Sequence, residues 1–369
     1  MDDVNESVRG PRDLWLEETV RRAGHAGLLA FCETYGLKGY RLDQIYRAAN
    51  KELLDGPAEA TVLPVGLRDR LVAERFSFSG IEPVTVRRSS DHQTTKVLFR
   101  LHDGSEVESV LMEHFGDRNT VCVSSQAGCA FACTFCSTGQ AGFTRHLTAT
   151  EIFSQARYFA CRLARSGRRI SNVVFMGMGE PFHNYEAVMR AVRLLNDPHG
   201  LGLGHRHITI STVGVVPKID ALAKEAVQVN LAISLHAPTD EERSRIMPVN
   251  RKYPIAALMA ACERYVASTK RKVFFEYLML EGFNDSPEAA TRLAALMRGR
   301  LYHVNLIPYN PTPGAPYRGS AGEKIRGFAD LLESAHVPTT IRHPMGRDIA
   351  AACGQLRAQT QPGARALAS

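Results

Sequence analysis

The sequence lacks both a segment that could cross a membrane and a leader that would direct export. Residues 121–144 carry no charge and are numerous enough to span a bilayer, but their Ser, Gln, Gly, Thr and Cys content is too polar for that role. The chain begins MDDVNESVRGPRD, which is acidic and polar, whereas a signal peptide has a basic start followed by an apolar segment. These features exclude a membrane or exported protein, and we expect a soluble cytoplasmic protein.

Cysteine is too scarce for a disulfide-stabilised scaffold, with eight residues in a chain of 369. Three of the eight, Cys129, Cys133 and Cys136, are instead clustered with the spacing C-x3-C-x2-C. This usage indicates a reducing compartment and a set of thiolate ligands rather than a disulfide framework.

The cluster of three cysteines also lacks a fourth member. Soft thiolates favour iron–sulfur clusters, zinc or copper, and a protein that completes a [4Fe–4S] cluster alone supplies four cysteines. Three would leave one iron open for a ligand that is not protein. Zinc would need a fourth ligand, for which His146 is the local candidate. Buried cysteines without a metal are the remaining interpretation.

Acidic residues are fewer than basic ones, 38 against 45, which gives a net charge of +7 and an isoelectric point near 9.0. This balance favours a polyanionic partner such as nucleic acid. Basic residues recur within residues 1–80, where four apolar helical patterns are separated by turns. We predict a helical accessory domain there, which either docks RNA or presents ordinary solvated faces.

The pattern changes to strands after residue 80. Three short segments with hairpin turns between them predict a small antiparallel region over residues 81–117. Residues 118–356 then alternate between strands and helices. The predicted strands are 120–124, 172–176, 207–211, 229–235, 272–279, 302–307 and 339–342. The predicted helices are 150–165, 185–195, 218–224, 255–267, 287–298 and 324–334.

This alternation predicts parallel strands joined by right-handed crossovers. The fold class is therefore α/β, a partial (β/α)6-type barrel whose active site lies at the carboxyl ends of the strands. Residues 357–369, which are rich in Ala and Gln, are expected to form a flexible tail.

Small polar residues recur where the predicted strands end. They comprise the cysteine loop, the turn Gly177-Met178-Gly179-Glu180-Pro181, Ser211, the tripeptide Ser234-Leu235-His236, and Asn310. Each alone could be an ordinary turn or a core residue. Five in one register favour the binding site of a polar cofactor, to which glycines allow close backbone approach.

Longer motifs complete the pattern. They are CVSSQAGC at 122–129, FMGMGEP at 175–181, ISTVGVVP at 210–217, ISLHAP at 233–238, NLIPYNPTPGAP at 305–316 and ACGQL at 352–356. In this order they cover most of residues 83–356, and they resemble the radical S-adenosylmethionine (SAM) enzymes. The resemblance is closest to the RlmN/Cfr family of dual-specificity RNA adenine methyltransferases. It implies a radical SAM barrel with a [4Fe–4S] cluster and SAM as cofactors.

The resemblance also implies roles for individual residues. Cys129, Cys133 and Cys136 would bind three irons of the cluster, and SAM would chelate the fourth. The positions that match the family's SAM contacts are Gly179, Glu180, Ser211, Ser234, Leu235, His236 and Asn310. Cys353 matches the cysteine that is methylated, Cys122 the second catalytic cysteine, and Glu108 the proton acceptor. Glu106 and Glu113 are neighbouring alternatives to Glu108.

The implied reaction requires the two cysteines outside the cluster. Carbon 2 of adenine is electron-poor and does not attack the methyl group of SAM, whereas the thiolate of Cys353 does. A radical from a second SAM would remove hydrogen from the S-methyl group, and the carbon radical would add to the ring. Attack of Cys122 on Cys353 would then release the product and leave a transient disulfide.

The substrates implied by the resemblance are adenine 2503 of 23S rRNA and adenine 37 of some tRNAs. A reductase or flavodoxin-type electron donor would supply the electron, and the protein would act as a monomer. The alternative enzyme is a Cfr-type carbon-8 methyltransferase of the same rRNA adenine, which confers antibiotic resistance. The alternative outside enzymes is a zinc-binding RNA-interaction protein without catalysis.

Overall fold

A ten-stranded sheet organises the computed structural model, which describes residues 10–356. In the order of the sheet, its strands are β1 (Glu82–Arg88), β2 (Thr94–Arg100), β3 (Glu106–Glu113), β4 (Asn119–Cys122), β7 (Asn172–Phe175), β8 (Ile208–Thr212), β9 (Asn230–Ser234), β10 (Val273–Met279), β11 (Tyr302–Pro308) and β12 (Thr339–Ile341). Two further strands, β5 (Gln126–Gly128) and β6 (Phe143–His146), pair only with each other. The tail predicted at 357–369 lies outside the described residues.

Twelve α-helices accompany these strands within the described chain. They are α1 (Pro11–Arg22), α2 (Leu28–Tyr35), α3 (Gly39–Asn50), α4 (Val65–Ala73), α5 (Ser137–Ala141), α6 (Ala149–Ala164), α7 (Tyr185–Asn196), α8 (Val216–Leu222), α9 (Asp240–Ile246), α10 (Ile255–Thr269), α11 (Pro287–Met297) and α12 (Gly322–Ser334).

The strands from β4 onward confirm the predicted α/β class. β4 and β7 to β12 are all parallel, and a helix lies between each strand and the next. Sequential parallel strands whose helices cover the sheet form a barrel wall. This wall is partial, because β1 and β12 remain unpaired edges in the described sheet. The carboxyl ends of the parallel strands therefore meet at one rim.

The hairpin strands are antiparallel, as predicted, but they are not a separate sheet. β3 pairs with β4, with Val110 opposite Cys122, so that β1 to β3 extend the barrel wall at one edge. The sequence showed the local hairpins but not this pairing. As a result, side chains of β2 and β3 can face the same interior as Cys122.

The helices of residues 10–80 pack against the barrel helices. Trp15 on α1 is fully buried, and the Glu18 carboxylate accepts hydrogen bonds from both the backbone N–H and the hydroxyl of Thr150. The Tyr46 hydroxyl on α3 donates to Asp197 at 2.6 Å. No helix within residues 10–356 combines the length and apolar character needed to cross a membrane.

The start of α6 is set by the sequence Thr148-Ala-Thr-Glu151. The Thr148 hydroxyl accepts from the Glu151 backbone N–H at 3.2 Å, and the Glu151 carboxylate accepts from the Thr148 N–H at 2.9 Å. This reciprocal pair is a capping box, which satisfies two backbone donors that the helix itself leaves open. It confirms the helix start that the sequence indicates at this position.

We expect Thr148→Ala to lower the free energy of unfolding by about 1 kcal/mol, because it removes the acceptor for the Glu151 N–H. Denaturant titration followed by circular dichroism measures this loss. Thr61→Ala is the matched control, because Thr61 is exposed and its hydroxyl makes no hydrogen bond in the described chain. An equal effect of both substitutions would contradict the capping role.

Candidate active site at the strand ends

The cysteine loop begins after β5 and returns through the short helix α5 and the strand β6. The sequence did not reveal any of these three elements. Cys133 is buried, and Cys129 and Cys136 are partly buried. The Cys129 N–H donates to the Gly142 carbonyl at 2.7 Å, and the Cys136 N–H donates to the Cys133 carbonyl at 3.1 Å. A side chain at Gly128, which has φ 76°, would collide with the Gly142 carbonyl. The loop is thus closed on itself by backbone contacts.

The three thiols of this loop are electrostatic neighbours. Burial raises the pKa of Cys129 to about 12 and that of Cys133 well above its usual value, and the adjacent thiols add to both increases. Thiolates in such surroundings need a positive centre, which metal coordination supplies. Within residues 10–356, no three His, Cys, Asp or Glu side chains are arranged around one point as a single metal ion would need. In the cluster implied by the resemblance, each of the three thiolates would bind a separate iron.

Arg243 is a buried cation beside this loop that the sequence did not indicate. Its guanidinium donates to three carbonyls at the ends of β8 and β9, those of Val213 at 2.7 Å, Ser234 at 3.2 Å and Leu235 at 3.2 Å. Its positive charge opposes the increase in the pKa of Cys133. Arg243 lies in the charged helix α9, DEERSRI, whose composition is typical of a solvated surface helix. The side chain nevertheless is buried and joins the ends of two strands.

Glu180 follows β7 and is buried. Its carboxylate accepts from the Thr212 hydroxyl at 2.6 Å, the Val213 N–H at 2.8 Å and the Phe182 N–H at 2.9 Å. Burial raises its pKa to about 7, and the hydrogen bonds limit that increase. Gly179 before it has φ 99° and would meet the Gln126 side chain at 2.5 Å if it carried a Cβ. Glycine therefore allows the turn to lie against the start of the cysteine loop.

His236 lies in a second turn next to the loop. It has a φ of 61°, and its Nδ1 accepts from the Leu278 N–H at 3.1 Å. Burial lowers its pKa to about 3, with a further contribution from Arg243, so the ring is neutral. Its ring meets Phe135 of the cysteine loop edge-on, with centroids 4.9 Å apart. His236 is thus a buried histidine whose Nδ1 has a hydrogen-bond partner, and it also forms part of the wall of the site.

The other predicted SAM contacts lie on neighbouring strands of the same wall. Ser211 is on β8 and Ser234 ends β9, opposite Glu276 of β10, while buried Leu235 donates its N–H to the Glu276 carbonyl at 3.1 Å. Glu276 is itself a buried carboxylate, held by the Asn305 amide at 2.8 Å, that the sequence motifs did not single out.

Asn310 connects the rim to the segment that carries Cys353. Its Oδ1 accepts from Arg347 at 2.6 Å, and its amide donates to the Cys353 carbonyl at 3.5 Å. The Gly354 carbonyl accepts from the Ser137 N–H at 2.8 Å, which places this segment on the cysteine loop as well. Cys353, remote in sequence, is therefore brought to the rim.

The surroundings of Cys122 and Cys353 raise the pKa of both thiols. Cys122 is buried at the end of β4, and burial together with Cys353 raises its pKa above the usual range. Cys353 is accessible to solvent, yet enough protein surrounds it to raise its pKa, with Glu276 adding to the increase and Arg342 opposing it. All eight cysteines are free thiols in the described chain, so the predicted disulfide finds no support in the structure.

The three candidate glutamates on β3 have different surroundings. Glu108 is buried and forms an ion pair with Lys96 at 2.9 Å, next to the Cys353 segment. Glu106 pairs with Arg100 at 3.1 Å, and Glu113 pairs with Arg168. Of the three, Glu108 is the one whose ion-pair partner described above, Lys96, also contacts the segment that carries Cys353.

Comparisons with known proteins agree with this geometry. The model of the Radical SAM superfamily matches residues 123–294. The probable dual-specificity RNA methyltransferase RlmN of Chloroflexus aurantiacus is 47% identical over 340 residues, which are 89% of this chain and 90% of that protein. The one from Moorella thermoacetica is 47% identical over 359 residues, 95% of this chain and 96% of that protein. A solved radical SAM methyltransferase from Sphaerobacter thermophilus has a TM-score of 0.86 and 49% identity, over 90% of this chain and 97% of that one.

The partial barrel with its three-cysteine loop therefore defines a radical SAM enzyme. Within that class, the chain belongs to the RlmN family of dual-specificity RNA methyltransferases. The cofactors of this family are a [4Fe–4S] cluster and SAM. Three thiols without a fourth, beside strand ends that present a buried carboxylate and polar turns, fit this pair of cofactors. The chain is therefore an enzyme, and the alternative of a zinc-binding RNA-interaction protein without catalysis is wrong.

We expect anaerobic reconstitution to load about four irons per chain, with sulfide in equal amount. Replacing Cys129, Cys133 or Cys136 by Ala should remove most of this iron and its visible absorption, because each thiolate anchors a different iron. Iron and sulfide assays measure the loss. Cys161→Ala is the matched control, since Cys161 is a buried thiol on α6. Equal loading of all variants would contradict the assignment of the loop.

Proposed function

We propose that this protein methylates carbon 2 of adenine in RNA through a methylated Cys353, with adenine 2503 of 23S rRNA and adenine 37 of some tRNAs as substrates. The observation that carries this proposal is that the Cys353 segment contacts both the cysteine loop, through Ser137, and Lys96, which lies in register with Cys122 across β3. A SAM-cleaving enzyme needs no further thiols for cleavage alone. Two additional cysteines at the same rim are what a methyl carrier and its resolving partner require.

In this proposal, Cys129, Cys133 and Cys136 hold the cluster. The residues that hold SAM are Gly179, Glu180, Ser211, Ser234, Leu235, His236 and Asn310. When bound, these cofactors supply the methyl group and the radical that activates it. The protein places both beside Cys353, and the buried turns around Glu180 and His236 exclude water from the reacting atoms.

The proposed work of the catalytic residues follows from their surroundings. The Cys353 Sγ loses its proton and accepts the methyl group, which solvent accessibility of this residue allows. Glu108 accepts the proton that leaves carbon 2 of the ring. The Cys122 thiolate then attacks the Cys353 Sγ, which forms an S–S bond and breaks the bond from that sulfur to the methylene carbon. This carbon takes up a proton and becomes the methyl group of the released base. Cys122 is suited to act last, because burial keeps it protonated until a base removes its proton.

We also propose that the helices of residues 1–80 dock RNA, ahead of a connector at 81–117 and the catalytic barrel at 118–356. Exposed cations support this role; they are Arg21, Lys38, Arg47, Lys51 and Arg70. Tyr40 is 54% exposed, with Arg41 stacked 4.8 Å from its ring centroid, a pair suited to an unpaired base. A reductase or flavodoxin-type electron donor would supply the electron to a monomeric enzyme in the cytoplasm.

Digesting RNA after reaction with the enzyme and identifying the methyladenosine isomer by mass spectrometry tests the proposed regiochemistry. We expect 2-methyladenosine in fragments of both 23S rRNA and tRNA. Finding 8-methyladenosine would instead establish the carbon-8 alternative. RNA incubated with protein that lacks the cluster is the control, and it should carry neither isomer.

A further inference from the structure

Lys96 on β2 is a buried cation that contacts two parts of the proposed site at once. Its Nζ lies 2.9 Å from the Glu108 Oε1 and donates to the Ala350 carbonyl at 3.0 Å. The side chains of Lys96 and Glu108 are only 8% and 9% exposed. An ammonium has three donors, and these two contacts hold it between β3 and the segment that leads to Cys353.

The register of the sheet places these groups on one face. Lys96 pairs with Val110 and Leu98 with Glu108, and Val110 also pairs with Cys122 on β4. Paired residues on adjacent strands share a face, as do alternate residues along a strand. Lys96, Glu108 and Cys122 therefore face the same side, where the Cys353 segment lies.

The same segment contacts β2 and the turn before it at two more points. The Ser90 N–H donates to the Asp348 carboxylate at 2.8 Å, and Gly346, at φ 65°, lies so close to Thr94 that a Cβ would come within 2.6 Å of it. Ala350 has φ 51°, which a residue with a Cβ adopts only at some cost. Of these three contacts with β2 and its preceding turn, the bond from Lys96 to the Ala350 carbonyl lies nearest to Cys353 along the chain.

We infer that Lys96 is a positioning residue that fixes Cys353 relative to Glu108, by clamping the segment of the methyl carrier and orienting the proton acceptor with one ammonium. A buried ion pair contributes little net stability compared with neutral residues of similar size. The role of this pair is therefore to fix the positions of the groups that it contacts. The inference depends on the roles proposed above for Cys353 and Glu108.

Two half-reactions separate this role from that of Glu108. Methyl transfer from SAM to Cys353 needs no proton acceptor for a ring, but it needs the Cys353 Sγ in line with the methyl group. Transfer of the methyl carbon from Cys353 to RNA needs both the proton acceptor and a correctly placed Cys353 Sγ. Loss of Glu108 should therefore affect the second half-reaction alone, whereas loss of Lys96 should affect both.

The test measures both half-reactions in cluster-loaded protein. Methyl-deuterated SAM without reductant gives the rate of Cys353 methylation by mass spectrometry, and RNA with reductant gives product formation. We expect Lys96→Met to lower Cys353 methylation about 10- to 100-fold, as a misplaced nucleophile does. Glu108→Gln should still methylate Cys353 but lose transfer to RNA. Lys224→Met, the same change at an exposed lysine, should match the parent protein in both.

The double variant Lys96→Met/Glu108→Gln separates positioning from folding. It removes both buried charges, so we expect its thermal unfolding to resemble that of the parent protein while Cys353 methylation stays low. A parental rate of Cys353 methylation in either Lys96 variant would overturn the inference. If Cys353→Ala still methylated RNA, the proposed function itself would fail, which is a distinct result.

Discussion

Cys353→Ala is expected to reduce methylation of RNA to the background of protein without SAM, while iron content stays at about four per chain. Alanine has no sulfur to accept the methyl group, and carbon 2 of adenine cannot take it directly from SAM. Cys353 is exposed, and the contacts that hold its segment use backbone carbonyls and neighbouring side chains. The substitution should therefore remove the nucleophile and leave the rim in place.

Labelled methyl groups counted in RNA after reaction measure this loss. Cys161→Ala provides the comparison, because it removes a buried thiol on α6 without touching the rim. Turnover by Cys353→Ala at more than a trace of the parental rate would exclude Cys353 as the methyl carrier. Loss of iron along with activity would show that the residue supports the cluster rather than the transfer.

Cys122→Ala is expected to stop the reaction one step later, with RNA covalently attached to Cys353. In the proposed mechanism, attack of the Cys122 Sγ on the Cys353 Sγ is the step that releases the base, and Cys353 contributes to the raised pKa of Cys122. Without Cys122 the bond between protein and base has no internal nucleophile to break it. We expect at most one adduct per chain to accumulate within a single turnover.

Denaturing electrophoresis followed by nuclease treatment detects such an adduct. The double variant Cys122→Ala/Cys353→Ala should form none, because the carrier is absent. Free unmethylated RNA with no adduct from Cys122→Ala would mean that Cys122 acts before the base is attached. Normal product release would mean that it is an ordinary core residue at the end of β4.

The barrel could be predicted from sequence because its signals are local. Each parallel strand is a short apolar run followed by an amphipathic helix, and the predicted strand at 302–307 differs from β11 by one residue. Pairing between β3 and β4 could not be predicted in this way, since it depends on contacts between segments rather than on their patterns. β5 and β6, of three and four residues, are too short to show a period.

The residues of the site likewise divide into those that the sequence predicts and those that only the structure reveals. Motif residues at strand ends, such as Glu180 and His236, follow directly from the barrel rule and the resemblance. Arg243 and Lys96 do not, because Arg243 lies in a helix whose charged sequence suggests a solvated surface, and a lysine on a strand such as β2 ordinarily faces solvent. Lys96 finds its partner Ala350 at a distance of 254 residues along the chain. Only the folded chain reveals that Lys96, the ion-pair partner of Glu108, also contacts the Cys353 segment, which supports the proposed choice of Glu108 among the glutamates of β3.

The central claim is that the methyl group passes through Cys353 before it reaches RNA, and a pulse and chase tests it most directly. Protein is first methylated with methyl-deuterated SAM, freed of that SAM, and then given unlabelled SAM, reductant and RNA. We predict that the first methyl group to appear at carbon 2 of adenine carries deuterium, with the label leaving Cys353 in equal amount. An unlabelled first methyl group would contradict the account.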